Sequence, residues 1–194
     1  MARKVTITKE IILKNALEML IEDGYKSISI HSLAKKIGCS TQPIAWHFEN
    51  MEGLRKALYA YATEYEGKKT DITGLNGGTA FRKFGEAYIN TAIKEPNLFK
   101  FLYLGECTVS KPYSFSNLPK GKVDEALIKN IAEETGLSVE SAAAVVQDTV
   151  FYSHGIASMI ATGVLKITLK QAINMIISAS EGFIDKERTF DGKK

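Results

Sequence analysis

Cysteine, proline and tryptophan are scarce in this 194-residue chain, at two, four and one. Two lone cysteines, Cys39 and Cys107, cannot staple a chain this long, which excludes a disulfide scaffold and fits a reducing compartment. No apolar run approaches the ~18 residues that a bilayer crossing needs, so no membrane partner is expected. Lys9, Glu10 and Lys14 interrupt the start, so no signal-peptide core forms. A soluble, cytoplasmic protein is the expectation. Strong charge of either sign is also missing: 25 Lys and Arg face 22 Asp and Glu, a net +3. With 45% hydrophobic residues, that near-neutrality excludes a disordered chain.

The small excess is unevenly placed. Residues 1–60 carry nine basic side chains against six acidic ones, and the remaining 134 residues balance at 16 against 16. A basic head on a neutral body suits a polyanion-binding module joined to a second function. Such asymmetry gains meaning only where the same stretch carries a recognition motif.

Hydrophobic spacing is helical nearly throughout. Thr8 can cap a first helix whose Ile12, Leu13, Ala16, Leu17, Leu20 and Ile21 share one face, stopped at Asp23-Gly24. Ser29 opens a short helix that ends at Gly38. Ser40 or Thr41 opens a third, reaching about Phe48, and Asn50 starts a fourth that fades near Gly67. The polar, glycine-rich stretch 68–78 is the candidate linker. Thr79 opens a run broken at Glu95-Pro96, followed by the aromatic-rich stretch 98–104 and a loop over 108–121. One helix then ends at Gly136. Another is capped by Ser138, with Ser141 as an alternative start, and runs to Gly163. Thr168 caps the last, which fades by Asp185. The fold class is all-α, with about nine helices and no hairpin or repeat.

Function is concentrated in residues 30–49, IHSLAKKIGCSTQPIAWHFE. Two short helices meet across a tight turn. Ala34 is small where they would cross, and Gly38 can adopt the positive φ of the turn. Leu33, Ile37, Cys39 and Ile44 are spaced to bury both helices against the first. The second helix would then present its amide end, with Ser40, Thr41, Gln42 and Pro43, to a phosphate or a major groove. Gln42 can pair bidentately with adenine N6 and N7, and Thr41 and Pro43 can pack on a thymine methyl. Trp46 and His47, one turn on, can rest against sugar-phosphate through ring N–H donors.

These pieces together resemble the DNA-binding domain of the TetR (tetracycline-repressor) family of bacterial transcription regulators. The matching elements, in order, are IILKNALEML (11–20), GY (24–25), SISIHSLAKKIGCS (27–40), WHF (46–48) and LRKAL (54–58). Two positions depart from the family pattern. Ala45 replaces the aromatic that often precedes the last tripeptide motif, and Met51 replaces the lysine that usually opens the fourth helix on a phosphate. Arg55 or Lys56 would then supply the backbone contact. A looser resemblance, YSHG (152–155), ties the second half to a Trp-His-Gly subfamily, with Ser153 where the tryptophan would be.

The resemblance implies a three-helix helix-turn-helix DNA-binding domain over residues 1–66. A larger helical bundle over 67–194 would bind an effector and dimerise. The implied partners are double-stranded DNA, a second copy in a homodimer and a small-molecule effector. The implied output is repression at a pseudo-palindromic operator. Candidate DNA contacts are His31, Lys35, Ser40, Thr41, Gln42, Pro43, Trp46, His47, Arg55 and Lys56. The last two long helices would pair with their copies through Val150, His154, Gly155, Ile160, Ile173, Ile176 and Ile177. The aromatic cluster Phe99, Phe101, Tyr103, Tyr113 and Phe115 is either core or the lining of an effector pocket. The candidates for that pocket are Tyr88, Phe99, Tyr103, Tyr113 and Gln147.

Each sharp reading has a bland counterpart. Trp46 can be core, His31 can lie on a solvated face, and only one of Lys35 and Lys36 need meet DNA. His154, Glu106 and Cys107 lack the short spacing of a metal site, so no metal and no cofactor are expected. No catalytic constellation is present. There is no glycine-rich phosphate loop and no Gly-x-Ser-x-Gly elbow, and Ser153 and His154 are neighbours pointing about 100° apart on a helix. The protein is not expected to be an enzyme. Met51, Pro43 and the modest charge favour one rival reading, a protein-binding co-regulator or adaptor that keeps the fold and has lost operator recognition. A helical-bundle enzyme or carrier is the other, and it would need a tightly bound cofactor.

Overall fold

The computed structural model describes residues 7–70, 73–75, 77–106 and 125–192. Among these, every regular element is helical. The helices are α1 (Lys9–Asp23), α2 (Ile30–Ile37), α3 (Gln42–Phe48), α4 (Met51–Gly67), α5 (Gly77–Lys94), α6 (Pro96–Tyr103), α7 (Glu125–Thr135), α8 (Val139–Ala161) and α9 (Leu169–Asp191). They fall into two compact units, Met1–Lys69 with Glu95–Lys111, and Thr70–Lys94 with Pro112–Lys194.

The first unit is assembled from local stops and starts. Thr8 accepts from the Ile11 amide to cap α1. Ser29 and Ser32 cap α2 reciprocally. Gly38 takes the left-handed conformation at the end of α2, and its N–H returns to the Ala34 and Lys35 carbonyls. Ile12, Ala16 and Leu20 of α1 then bury against Leu33 of α2, Ile44 and Phe48 of α3, and Leu54 and Leu58 of α4.

This unit also takes in α6, which the sequence-based boundary at residue 66 places with the rest of the chain. Leu98, Phe101 and Leu102 join the same core. The Asn97 side-chain amide donates to the Ile21 and Glu22 carbonyls at the end of α1. Tyr65 donates to Glu95, and Tyr103 donates to the buried Glu66 carboxylate, so two tyrosine–carboxylate bonds join α4 to the α6 region. The aromatic stretch is therefore largely core.

The second unit contains α5, α7, α8 and α9. Ile131, Ala132, Leu137, Ala142, Val145 and Val146 form its buried cluster, with Phe81, Val150 and Phe183 packed against it. Ser138 caps α8, and the alternative start at Ser141 is not used. Both serine hydroxyls, with the Ser138 amide, instead reach the Asp191 carboxylate. That clasp explains why α9 runs to Asp191 rather than fading near Asp185. Thr168 and Gln171 cap its other end reciprocally.

Candidate nucleic-acid interface

Recognition by a short helix requires one face held rigidly and the other left free. In α3, Ile44 is completely buried and Phe48 nearly so, whereas Gln42, Ala45 and Trp46 point to solvent. Trp46 is 79% exposed, which removes the core reading of the chain's single tryptophan. Thr41 and Pro43 are half-buried, and Ser40 is exposed. Thr41 occupies the N-cap position, yet its hydroxyl makes no cap hydrogen bond. Pro43, in the first turn, has no N–H to donate, so part of the usual reason for a cap is missing. The Thr41 hydroxyl stays available to an outside partner.

The turn between α3 and α4 is unusually tight. Glu49 has φ 63 and ψ −52, a conformation rarely adopted by non-glycine residues, and the Asn50 N–H returns to the Phe48 carbonyl at 2.6 Å. Asn50 then caps α4 by accepting from the Gly53 amide at 3.0 Å. A Cβ on Gly53 would lie 2.1 Å from the Phe48 carbonyl oxygen, so only glycine lets α4 start this close to α3. Glu49 and Gly53 were absent from the sequence-derived candidates. The signal for Gly53 was a glycine within a helical run, where it is disfavoured unless something must come close.

The cations divide by whether a carboxylate already holds them. Lys36 lies 3.6 and 3.5 Å from Glu18 and Glu22. Lys56 pairs with Glu52 at 2.7 Å, and its hydrogen bond and charge hold the Glu52 carboxyl below its usual range. Lys35 is exposed and makes no ion pair with the described residues, and His31 beside it is also exposed. Arg55 is half-buried, and its Nε has no hydrogen-bond partner. Met51 packs against the core, which accounts for an apolar residue at the first position of α4.

His47 departs from its sequence-derived role. Its Nε2 lies 3.0 Å from the Ile7 carbonyl oxygen. A carbonyl can only accept, so this ring nitrogen carries the proton and donates inward, and in the neutral ring no N–H remains for a phosphate.

The effector candidates divide between the units. Phe99 is fully buried in the first unit, 5.0 Å ring to ring from Tyr103. Tyr88 and Gln147 belong to the second unit, and Tyr113, like Cys107 and Phe115, lies outside the described residues. The Tyr88 hydroxyl and His154 Nδ1 are 2.6 Å apart, and burial holds the His154 pKa below its ordinary 6.5. A cleft of about 440 Å³ does occur in the second unit, but Ile93, Ile160, Leu165, Lys166 and Gln171 line it with other residues, and none of the four described candidates, Tyr88, Phe99, Tyr103 and Gln147, does. No three metal-ligand side chains converge among the described residues. No described helix is long and apolar enough to cross a membrane.

Of the interface candidates, Val150 packs on the internal cluster and His154 meets Tyr88, while Gly155 and Ile177 are exposed. Ile160, Ile173 and Ile176 are half-buried. The large apolar residues exposed on these two helices are Val139, Phe151, Tyr152 and Met159 of α8 and Met175, the candidate Ile177 and Phe190 of α9, and Gly155 and Gly182 each have open space where a Cβ would stand. The four-residue steps Phe151, Gly155 and Met159 along α8 were a signal available in the sequence.

A family profile described as bacterial regulatory proteins, tetR family, matches residues 12–58. An uncharacterised HTH-type transcriptional regulator, YobS of Bacillus subtilis (strain 168), is 21% identical over 102 residues. That alignment spans about half of each protein, 52% of this chain and 53% of the relative. Among solved structures, TetR from Acinetobacter baumannii AYE superposes with a TM-score of 0.64 at 16% identity, over 94% of this chain and 99% of that one. BioQ, solved with its natural double-stranded DNA operator, gives 0.54 at 14% identity over 90% and 98%. At these identities the structures establish the fold.

Proposed function

We propose, from the match of residues 12–58 to the tetR-family model, that the chain is an effector-responsive transcriptional repressor, acting in the bacterial cytoplasm as a homodimer on a pseudo-palindromic operator. The observation that carries this reading is the outward projection of Gln42 and Trp46 from an α3 pinned by Ile44 and Phe48. Gln42 reads adenine, Thr41 and Pro43 supply apolar and hydroxyl contacts, and Trp46 rests on the sugar-phosphate edge. Lys35, His31 and Arg55 provide backbone contacts, and Lys56 does so once it exchanges Glu52 for a phosphate.

Pairing with a second copy covers the outward apolar residues of α8 and α9, which a lone chain leaves in water. In the dimer the two α3 helices meet successive major grooves, about 34–36 Å apart. An effector bound by the second unit shifts the population between a DNA-matched and a mismatched spacing, by as much as its affinities for the two states differ.

Selection of bound duplexes from a random pool tests the reading. The expected result is an inverted repeat whose half-sites lie about one helical turn apart. The adaptor alternative is favoured by Met51 facing the core and by Lys56 engaged with Glu52. A gel shift on random duplex at low salt separates the two, because an adaptor gives none.

A further inference from the structure

Four branched aliphatic side chains of the second unit stand half in water around one cleft. Ile93 lies in the last turn of α5, Ile160 in the last turn of α8, and Leu165 and Ile167 in the connection that leads into α9. The cleft holds about 440 Å³, within the range of small-molecule sites. The connection that lines it is fixed at both ends. Gly163 takes a positive φ, and the Leu165 N–H returns to the Met159 carbonyl at 3.0 Å, so the chain turns sharply off α8. Thr168 and Gln171 then cap α9 reciprocally, with Gln171 Oε1 accepting from the Thr168 amide and hydroxyl, both at 2.9 Å. That commits the oxygen of the Gln171 amide and leaves its NH2 with no hydrogen bond to the described residues. Lys166, exposed at the same cleft, makes no ion pair with the described residues. No acidic side chain is among the described residues that line it.

We propose that this cleft is the effector site and that it takes an aliphatic carboxylate. The four aliphatic side chains flank the hydrocarbon part of the ligand, while the Lys166 ammonium and the Gln171 NH2 each donate to a carboxylate oxygen. A cationic ligand is repelled, and an uncharged head leaves the ammonium unmatched. Apolar contact supplies most of the affinity. Lys166 is exposed, and a water-screened ion pair contributes only about two- to fivefold, whereas each methylene removed from water contributes up to about fourfold. Ile93 stands two residues ahead of Glu95, where the chain re-enters the first unit, so an occupant packed on Ile93 acts on the turn of helix that leads there. The proposal rests on the effector-responsive reading above and gives its ligand a place and a chemical class.

The test uses the full chain, with butanoate, hexanoate and octanoate as probes and octanol as an uncharged control, read by titration calorimetry and amide chemical shifts. Octanoate saturates a single site per chain, and the shifts centre on Gly163, Lys166 and Gln171. Affinity rises along the acid series by up to about fourfold per methylene. Lys166→Met keeps the aliphatic stem and removes the charge, so it weakens octanoate by about two- to fivefold and leaves octanol unchanged, and Lys166→Arg restores octanoate. Leu165→Ala weakens both probes. Circular dichroism confirms that each variant keeps its helices. On an operator obtained by selection, octanoate changes the affinity of the unaltered chain by at least about fivefold, and Lys166→Met needs correspondingly more octanoate for the same change. Octanoate that saturates no single site, or whose binding ignores Lys166→Met, overturns the site. Octanoate that fills the cleft and leaves operator affinity unchanged overturns its effector role. A chain that binds octanoate here but shifts no duplex overturns the operator reading and the effector role, while the carboxylate site stands.

Discussion

The first unit closes on itself, whereas the second leaves an apolar face outside. In α1, six of 15 residues are buried, and Leu33, Ile44, Leu54 and Leu58 on its neighbours are at most 1% exposed. In α9, 23 residues long, only Ala172 is buried. The lesson is one of division. A reading head needs one fixed geometry, and short helices with tight turns provide it. The proposed pairing surface calls for long rails with spare apolar area, and α8 and α9 are both 23 residues.

The sharpest way to break this contrast is a charge on the outward face. Met159→Glu would place two unpaired carboxylates, one from each copy, at the seam. The expected cost is about 3–5 kcal/mol of dimer stability, read as dissociation in sedimentation with the thermal melt of the first unit unchanged. An unaltered assembly would move the seam elsewhere on the chain.

Gly53→Ala probes the opposite half. Its Cβ collides with the backbone of Phe48, not with a movable side chain, so the α3–α4 turn must open. The expected loss is about 1–3 kcal/mol in the thermal melt of the first unit, together with a larger fall in operator affinity, while the assembly state stays the same.

Gln42→Ala and Arg55→Ala separate reading from holding. Gln42→Ala should weaken the selected sequence by about 1–3 kcal/mol and relax the preference at one base pair. Arg55→Ala should weaken all duplexes alike and reduce the salt slope by about 1. Equal losses on specific and random duplexes for Gln42→Ala would remove it from base readout.

The smallest expected effect is pH dependence in the second unit. Burial disfavours charged His154, so its folded pKa lies below the unfolded 6.5. Below pH 6.5 the unfolded chain binds a proton that the folded unit resists, so stability is fully present above that value and declines as pH falls. Melts at pH 7.5 and 5.5 should show the decline, and His154→Gln should flatten it.

What was legible in the sequence were features whose cause is local. Thr8, Ser29, Asn50, Ser138 and Thr168 each cap the helix they precede, because a short polar side chain beside free amides acts within one turn. Gly24, Gly38, Gly136 and Gly163 all have positive φ, which the missing Cβ permits with no distant partner. The misses depend on distant partners. The membership of α6 in the first unit rests on Asn97 reaching Ile21 and Glu22, and the length of α9 rests on Asp191 reaching Ser138. The strained Glu49 is held by the helices on either side, and nothing in its own chemistry announces it. On α3, the outward placement of Gln42 was legible because its face follows from the helical period. The inward hydrogen bond of His47 was not, since it joins positions 40 residues apart.

The lone indole on α3 has a practical consequence. Because Trp46 stands 79% in water and the chain has no other tryptophan, intrinsic indole emission comes from α3 alone, against a background of tyrosine. Docking in the proposed way would desolvate that one chromophore, so mixing unlabelled protein with duplex in a stopped-flow fluorimeter would time the encounter at the proposed surface.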